Sequence, residues 1–174
     1  MPDVSGNAKH SNKRPMKINW RQILIHFVAA FCLMVSFHIL ACFTNIELFE
    51  EVRYPKSPPV SNQGQILSDI VEFSATIYLV GSLGLLIGFI ISLSISLKKK
   101  RGWSNSVFVF ILIYLLAWLG AEQFIFKLLL SLFDTFKINA RLEVLIIGLL
   151  LLALSFLLFF SKKSNKFIIE KKGI

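Results

Sequence analysis

Residues 73–101 read FSATIYLVGSLGLLIGFIISLSISLKKKR. From Phe73 to Leu97 there is neither a charged residue nor a proline, and Lys98-Lys99-Lys100-Arg101 follows at once. A bilayer core ~30 Å thick takes about 20 apolar residues of helix, so this run is long enough to cross one. In lipid the backbone must satisfy its own hydrogen bonds, which a single segment does only as a helix. Within the run, Gly84, Gly88, Ser92 and Ser96 recur every fourth residue, with Gly81 beside them. Small residues at that spacing form a groove that another helix backbone can enter closely. The row is expected to be a helix-packing surface, its partner belonging to the same chain in preference to a second copy.

Three more stretches match this one, at about 23–43, 103–133 and 144–160, and all five prolines fall outside the four. No segment shows the alternation of a β-barrel strand. The expected fold class is therefore all-α, a polytopic membrane protein built as a four-transmembrane-helix bundle. Composition agrees: 55% of the 174 residues are hydrophobic and only 17% charged, against about 25% charged in soluble domains. Mean hydropathy is +0.69. An ordinary soluble enzyme and a disordered chain are both excluded. The third stretch is over-long, about 46 Å at ~1.5 Å per residue. One long tilted helix is the favoured reading; the alternative is a break near Gly120, leaving 122–136 as an interfacial helix.

Basic residues set the orientation. Lys9, Lys13, Arg14, Lys17 and Arg21 precede the first span, the 98–101 tract joins the second to the third, and Lys162, Lys163, Lys166, Lys171 and Lys172 follow the fourth. Only Asp3 and Glu170 accompany them, while the remaining eight acids fall on the other side. Both termini are thus expected in the cytoplasm, with 1–20 a disordered arm, 21–161 the membrane domain, 44–70 an outward loop and 162–174 a basic tail. The basic tracts are short flanks without a stacking platform, so nucleic acid is not an expected partner. The expected partners are the bilayer and either other membrane proteins or a second copy.

Ile39-Leu40-Ala41-Cys42 loosely resembles a lipoprotein cleavage box, but leucine before the alanine fits poorly and the first span is expected to be retained. The expected location is the cell membrane, multi-pass, with a bacterial inner membrane favoured. In a eukaryote, Lys171-Lys172 would suit retrieval to the endoplasmic reticulum membrane.

Ionisable groups within spans are costly and default to function. Counted from the basic ends, His38, Tyr78, Glu122 and Glu143 all fall roughly 25–28 Å deep at ~1.5 Å per residue. One residue from each span thus reaches a single layer near the outer face, a candidate polar cluster for a proton or cation. The bland reading is interfacial placement, where Tyr and Glu sit comfortably. Tyr114, Trp118 and Glu122 form an i, i+4 stripe, read either as the lining of a pathway or as an aromatic seam. His26 and His38 stand about 120° apart around one helix, so no histidine-only metal site is expected. Cys32 and Cys42 are about 15 Å apart along that helix, beyond the ~7 Å limit for a disulfide.

The chain has no phosphate-binding loop, no dinucleotide fingerprint, no His-Glu-x-x-His, no Cys-x-x-Cys and no nucleophile elbow. No cofactor and no metal are expected, and an enzyme is the less favoured class. Three functions compete. The preferred one is an accessory or interaction subunit acting through helix–helix contacts and its outward loop. The first alternative is an oligomeric pore or transport subunit with a polar pathway near the outer face. The second is a lipid-modifying enzyme using His38 and Glu122 as base and acid.

Overall fold

The computed structural model describes residues 18–53, 63–121, 124–125, 127–128, 131 and 139–169. Most of the expected N-terminal arm, the centre of the outward loop, Glu122 and the last residues of the tail lie outside the described residues.

Side-chain caps mark where the helices begin. Asn19 opens α1 (Trp20–Ala41) by accepting from the Gln22 backbone N–H at 3.1 Å. Asn45, at the end of a 3₁₀ turn over Cys42–Asn45, accepts from Leu48 N–H at 3.1 Å and opens α2 (Ile46–Arg53). Then come α3 (Gln63–Lys98), α4 (Ser104–Trp118), α5 (Ala140–Phe160) and α6 (Lys162–Ile169). Asn139 caps α5 through the Arg141 N–H at 2.9 Å. Each cap satisfies one of the N–H groups that a helix start leaves without an intrahelical partner.

The described chain is all-helical. Three helical stretches are long and apolar enough to cross a membrane: Trp20–Glu50, Leu67–Lys98 and Ala140–Phe160. The apolar α4 is shorter, at 15 residues, or about 22 Å at ~1.5 Å per residue. The single helix expected over 103–133 is therefore interrupted. Leu119 ends α4, Gly120 takes φ +71°, and its N–H turns back to the Ala117 carbonyl at 2.9 Å. That is a helix stop in which glycine carries the left-handed residue at no steric cost. The helix resumes at Ala121, with Phe124 N–H bonding the Gly120 carbonyl at 3.3 Å.

At the centre of the bundle is α1. It packs against α3, α4, α5 and α6, whereas α4 has no extended contact with α5. In its apolar window 56% is buried, against 39% for the α3 stretch and 33% for α5. Because these helices are apolar all round, lipid competes well with a neighbouring helix for their side chains. Close approach and hydrogen bonds must therefore provide the adhesion. The row of small residues on α3 supplies the approach. A Cβ at Gly84 would come within 2.9 Å of Phe37, and one at Gly88 within 2.9 Å of the Ala30 Cβ. On the other flank, a Cβ at Gly148 of α5 would meet Leu40 at 2.5 Å, and Ser36 Oγ donates to the Gly148 carbonyl at 2.7 Å.

Gly88→Ala pushes the new methyl into α1 backbone and Cβ atoms that cannot swing aside. We expect a loss of about 1–3 kcal/mol, read by denaturant titration in mixed micelles. Gly64→Ala, with nothing within 4 Å of its Cβ, should be neutral or slightly stabilising. An equal response from the two variants would refute the close-packing account.

Candidate functional site

The structure brings together part of the expected outer layer. His38 is buried, its ring lying against Gly81, where an added Cβ would come within 2.2 Å of Nε2. Tyr78, one turn away on α3, meets it edge-on with ring centroids 5.9 Å apart. Glu143 is buried in the first turn of α5. Ser36 and Leu40, which face α5, are each two residues from His38, about 200° away around α1 at ~3.6 residues per turn. His38 thus looks toward α3, while Glu143 arrives with α5 from the opposite flank. Glu122, and with it the expected His38–Glu122 pair, lies outside the described residues. Tyr114 and Trp118 point away from the bundle, 59% and 78% exposed. Among the described residues no group of three or more His, Cys, Asp or Glu could hold a metal ion. Cys32 and Cys42 are free thiols, and Cys42 Sγ leans on the His38 carbonyl at 3.5 Å.

At the other end of the bundle lies a site that depth counting does not reveal. Gln22 and His26 of α1, Ser92 and Ser96 of α3, and Asn105 and Ser106 of α4 are all at most 1% exposed. Since a hydroxyl has one proton to give, the direction of every bond in this network follows by counting. Gln22 Nε2 donates to Ser96 Oγ at 2.7 Å, and Ser96 gives its own proton to the Ser92 carbonyl at 2.8 Å. Ser106, 2.9 Å from Ser96 Oγ, must then be the donor in that pair. Ser106 Oγ accepts in turn from Ser92 Oγ at 2.9 Å. With the Ser92 proton committed, His26 Nδ1 at 2.7 Å donates to Ser92 Oγ. The chain of donors thus assigns His26 as the Nδ1–H tautomer.

Asn105 extends the chain outward. Its Nδ2 donates to Gln22 Oε1 at 3.4 Å, and its Oδ1 accepts from the Asn19 backbone N–H at 3.2 Å. Asn19 Nδ2 then reaches the Ile168 carbonyl of α6 at 3.4 Å. His26 also presents its ring edge-on to Phe159 of α5, centroids 5.6 Å apart. Five helices are therefore tied together at one level.

The bond directions limit the chemistry. A serine nucleophile needs an imidazole that accepts its proton, but here the imidazole donates and the serine hydroxyl is sealed from solvent. The network is arranged to hold helices rather than to attack a substrate. Its sequence signal was partial: Ser92 and Ser96 stood out as small residues, not as hydroxyls. Gln22, Asn105 and Ser106 carry no local signal, because nothing in their neighbourhoods says they meet. Comparison with family models, curated proteins and solved structures finds no match, so the functional reading rests on these residues themselves.

Ser106→Ala removes the acceptor of Ser92 and the donor to Ser96 at once. We expect a loss of about 1–3 kcal/mol in a micelle denaturation assay. A double-mutant cycle of Ser92→Ala with Ser106→Ala should give a coupling of ~0.6 kcal/mol, the scale of such cycles for hydrogen bonds between membrane helices. Strict additivity would show that the hydroxyls do not act as one chain.

Proposed function

We propose that the chain is a four-span membrane protein with both termini cytoplasmic, serving as an accessory subunit that engages other membrane proteins. The carrying observation is the alternation of chain direction around α1. The start of α1 meets the end of α3, the start of α4 and α6 through Gln22–Ser96, Asn19–Asn105 and Asn19–Ile168. The end of α1 meets the first half of α5 through Ser36–Gly148. The chain leaves α3 at one end of the bundle and enters α5 at the other, so the segment 99–139 has to travel the full length between them. If α1, α3 and α5 each cross the bilayer, that segment makes a fourth crossing. In this reading α4 and the helical turns after Gly120 accomplish it together. Both described ends of the chain then share the lysine- and arginine-rich side, in keeping with the positive-inside rule.

The accessory reading gains support from where free surface remains. The Gly84–Ser96 row is occupied within the chain, so a partner must use another face. The outward side of α4 offers one, with Phe108, Ile111, Tyr114, Leu115 and Trp118 all exposed. Aromatic residues in such number suit a protein contact as well as lipid. A pore remains the second reading in one form only. With Tyr114 and Trp118 turned outward, a pathway containing them would run between copies and not through one.

Two measurements test this. In a background with Cys32→Ala and Cys42→Ala, a membrane-impermeant maleimide should label Ser57→Cys in intact cells, and Lys163→Cys only after lysis. The reverse pattern overturns the topology. A photo-crosslinker at Leu115 should give discrete protein adducts, while one at Leu150, exposed on α5, should give mainly lipid. The same lipid-dominated pattern at both positions would remove the accessory reading. Conductance of proteoliposomes that falls on Glu122→Gln would favour the pore.

A further inference from the structure

The turn between α3 and α4 is built with unusual firmness. Lys100 adopts φ 52°, its N–H bonds the Leu97 carbonyl at 3.0 Å, and Arg101 N–H bonds the Ser96 carbonyl at 2.8 Å. This is the paired bonding of a Schellman motif, with lysine where glycine is usual. The second bond ties Arg101 to the backbone of the same Ser96 whose hydroxyl belongs to the buried network. The Arg101 side chain is consequently drawn in: its Nη1 is sealed from solvent and, among the described residues, meets no acceptor. A charged donor left without an acceptor costs more than a neutral one, so a small outward swing of this half-buried side chain to meet an anion is favoured.

Its surroundings are strongly positive. Lys99 Nζ bonds Asn165 Oδ1 of α6, and Arg21 bonds the Phe167 carbonyl at 3.3 Å with its guanidinium 5.0 Å from the Phe167 ring centre. Arg21, Lys99, Arg101, Lys162, Lys163 and Lys166 thus gather on one end of the bundle. The carboxylates Glu47, Glu50, Asp69, Glu72 and Glu143 belong to α2, to the second and third turns of α3 and to the first turn of α5, at the opposite end. Partial burial lowers the Arg101 guanidinium from its ordinary value. Burial, followed by the charges of Arg101 and Lys98, does the same to the Lys99 ammonium. The cluster is short of negative charge.

We propose that Arg101 and Lys99 bind the phosphate group of an anionic membrane lipid at the bilayer surface nearest the α3–α4 turn. The guanidinium offers a planar pair of donors suited to phosphate oxygens, and Lys99 adds a second charge from the same turn. A lipid is the source because the neighbouring surface is apolar: Trp20, Trp103, Phe167 and Ile169 are all exposed beside the cations. Free phosphate would leave those side chains uncovered, whereas acyl chains and glycerol would cover them. Tryptophan and phenylalanine next to cationic side chains are the arrangement of a membrane-interface belt. The proposal rests on the membrane-spanning reading but not on its orientation.

The test uses the full chain in nanodiscs with Trp20→Phe and Trp118→Phe, leaving Trp103, two residues from Arg101, as the fluorescent reporter. Dibrominated phosphatidylglycerol and dibrominated phosphatidylcholine are compared as quenchers at equal mole fraction. We expect about fivefold preferential association of the anionic lipid, falling to near parity in Arg101→Gln. Lys163→Gln, an equal loss of charge on exposed α6, should keep most of the preference. Equal quenching by both lipids in the unsubstituted background overturns the site, and equal loss in the two variants reduces it to diffuse surface potential. Should Arg101→Gln fail to fold, Lys99→Gln, at an exposed position, should at least halve the preference, and no change there overturns the proposal. Millimolar inorganic phosphate should not displace the lipid; if it does, the site takes free phosphate and the lipid assignment fails. Both leaflets of a nanodisc carry the same lipid, so these outcomes are independent of the maleimide result on topology.

Discussion

The architecture depends on one constraint: three serine hydroxyls, a glutamine amide and an imidazole buried among apolar helices must satisfy one another. An unpaired hydroxyl or amide away from water costs several kcal/mol against a fully apolar reference, whereas apolar side chains accept many rotations of one helix against another. The polar groups therefore select the register. Sliding α3 along α1 by one turn would move Ser92 and Ser96 by about 5.4 Å, out of reach of His26 and Gln22. Rotating α4 would withdraw Ser106, whose hydroxyl sits between Ser92 and Ser96. In this chain the hydrophobic spans provide length, and the polar residues decide alignment.

The rest of the packing follows from α1 being central. It carries Ala30, Leu33 and Phe37 where α3 presses close, and Leu40 where α5 does. The partners answer with Gly84 and Gly88 on one flank and Gly148 on the other. The complementarity is one of shape, since the long helices α1, α3, α4 and α5 are apolar nearly all round and hydrophobic pattern alone would leave their faces unspecified.

That lack of pattern also explains what the sequence made legible. Helices long and apolar enough to cross a membrane could be read from the stretches at 23–43, 73–97 and 144–160, because length and apolarity suffice. The third stretch was less clear, because apolar residues lie on both sides of Gly120 and composition is blind to a single positive φ. Depth could put His38 and Tyr78 at one level, though not in ring contact. Depth could not say that Glu143 approaches α1 from the other side, since a residue count fixes height along a helix but not the identity of its neighbour. The Gln22–Ser106 network was the least visible feature, its members being separated by as many as 84 positions and ordinary in their local surroundings.

The buried network also has a consequence for synthesis. Gln22 and His26 belong to the earliest-made of the described helices, yet the hydroxyl that completes their bonding, on Ser106, is made much later. At ~5–20 residues per second, the interval is roughly 4 to 17 seconds. During that time α1 holds a glutamine and a histidine whose final partners do not yet exist. Water near the headgroups or the insertion machinery has to shelter them meanwhile. The central helix of the finished bundle is thus made before the other described helices and is among the last to be satisfied, which makes the arrival of α4 the step that commits the assembly.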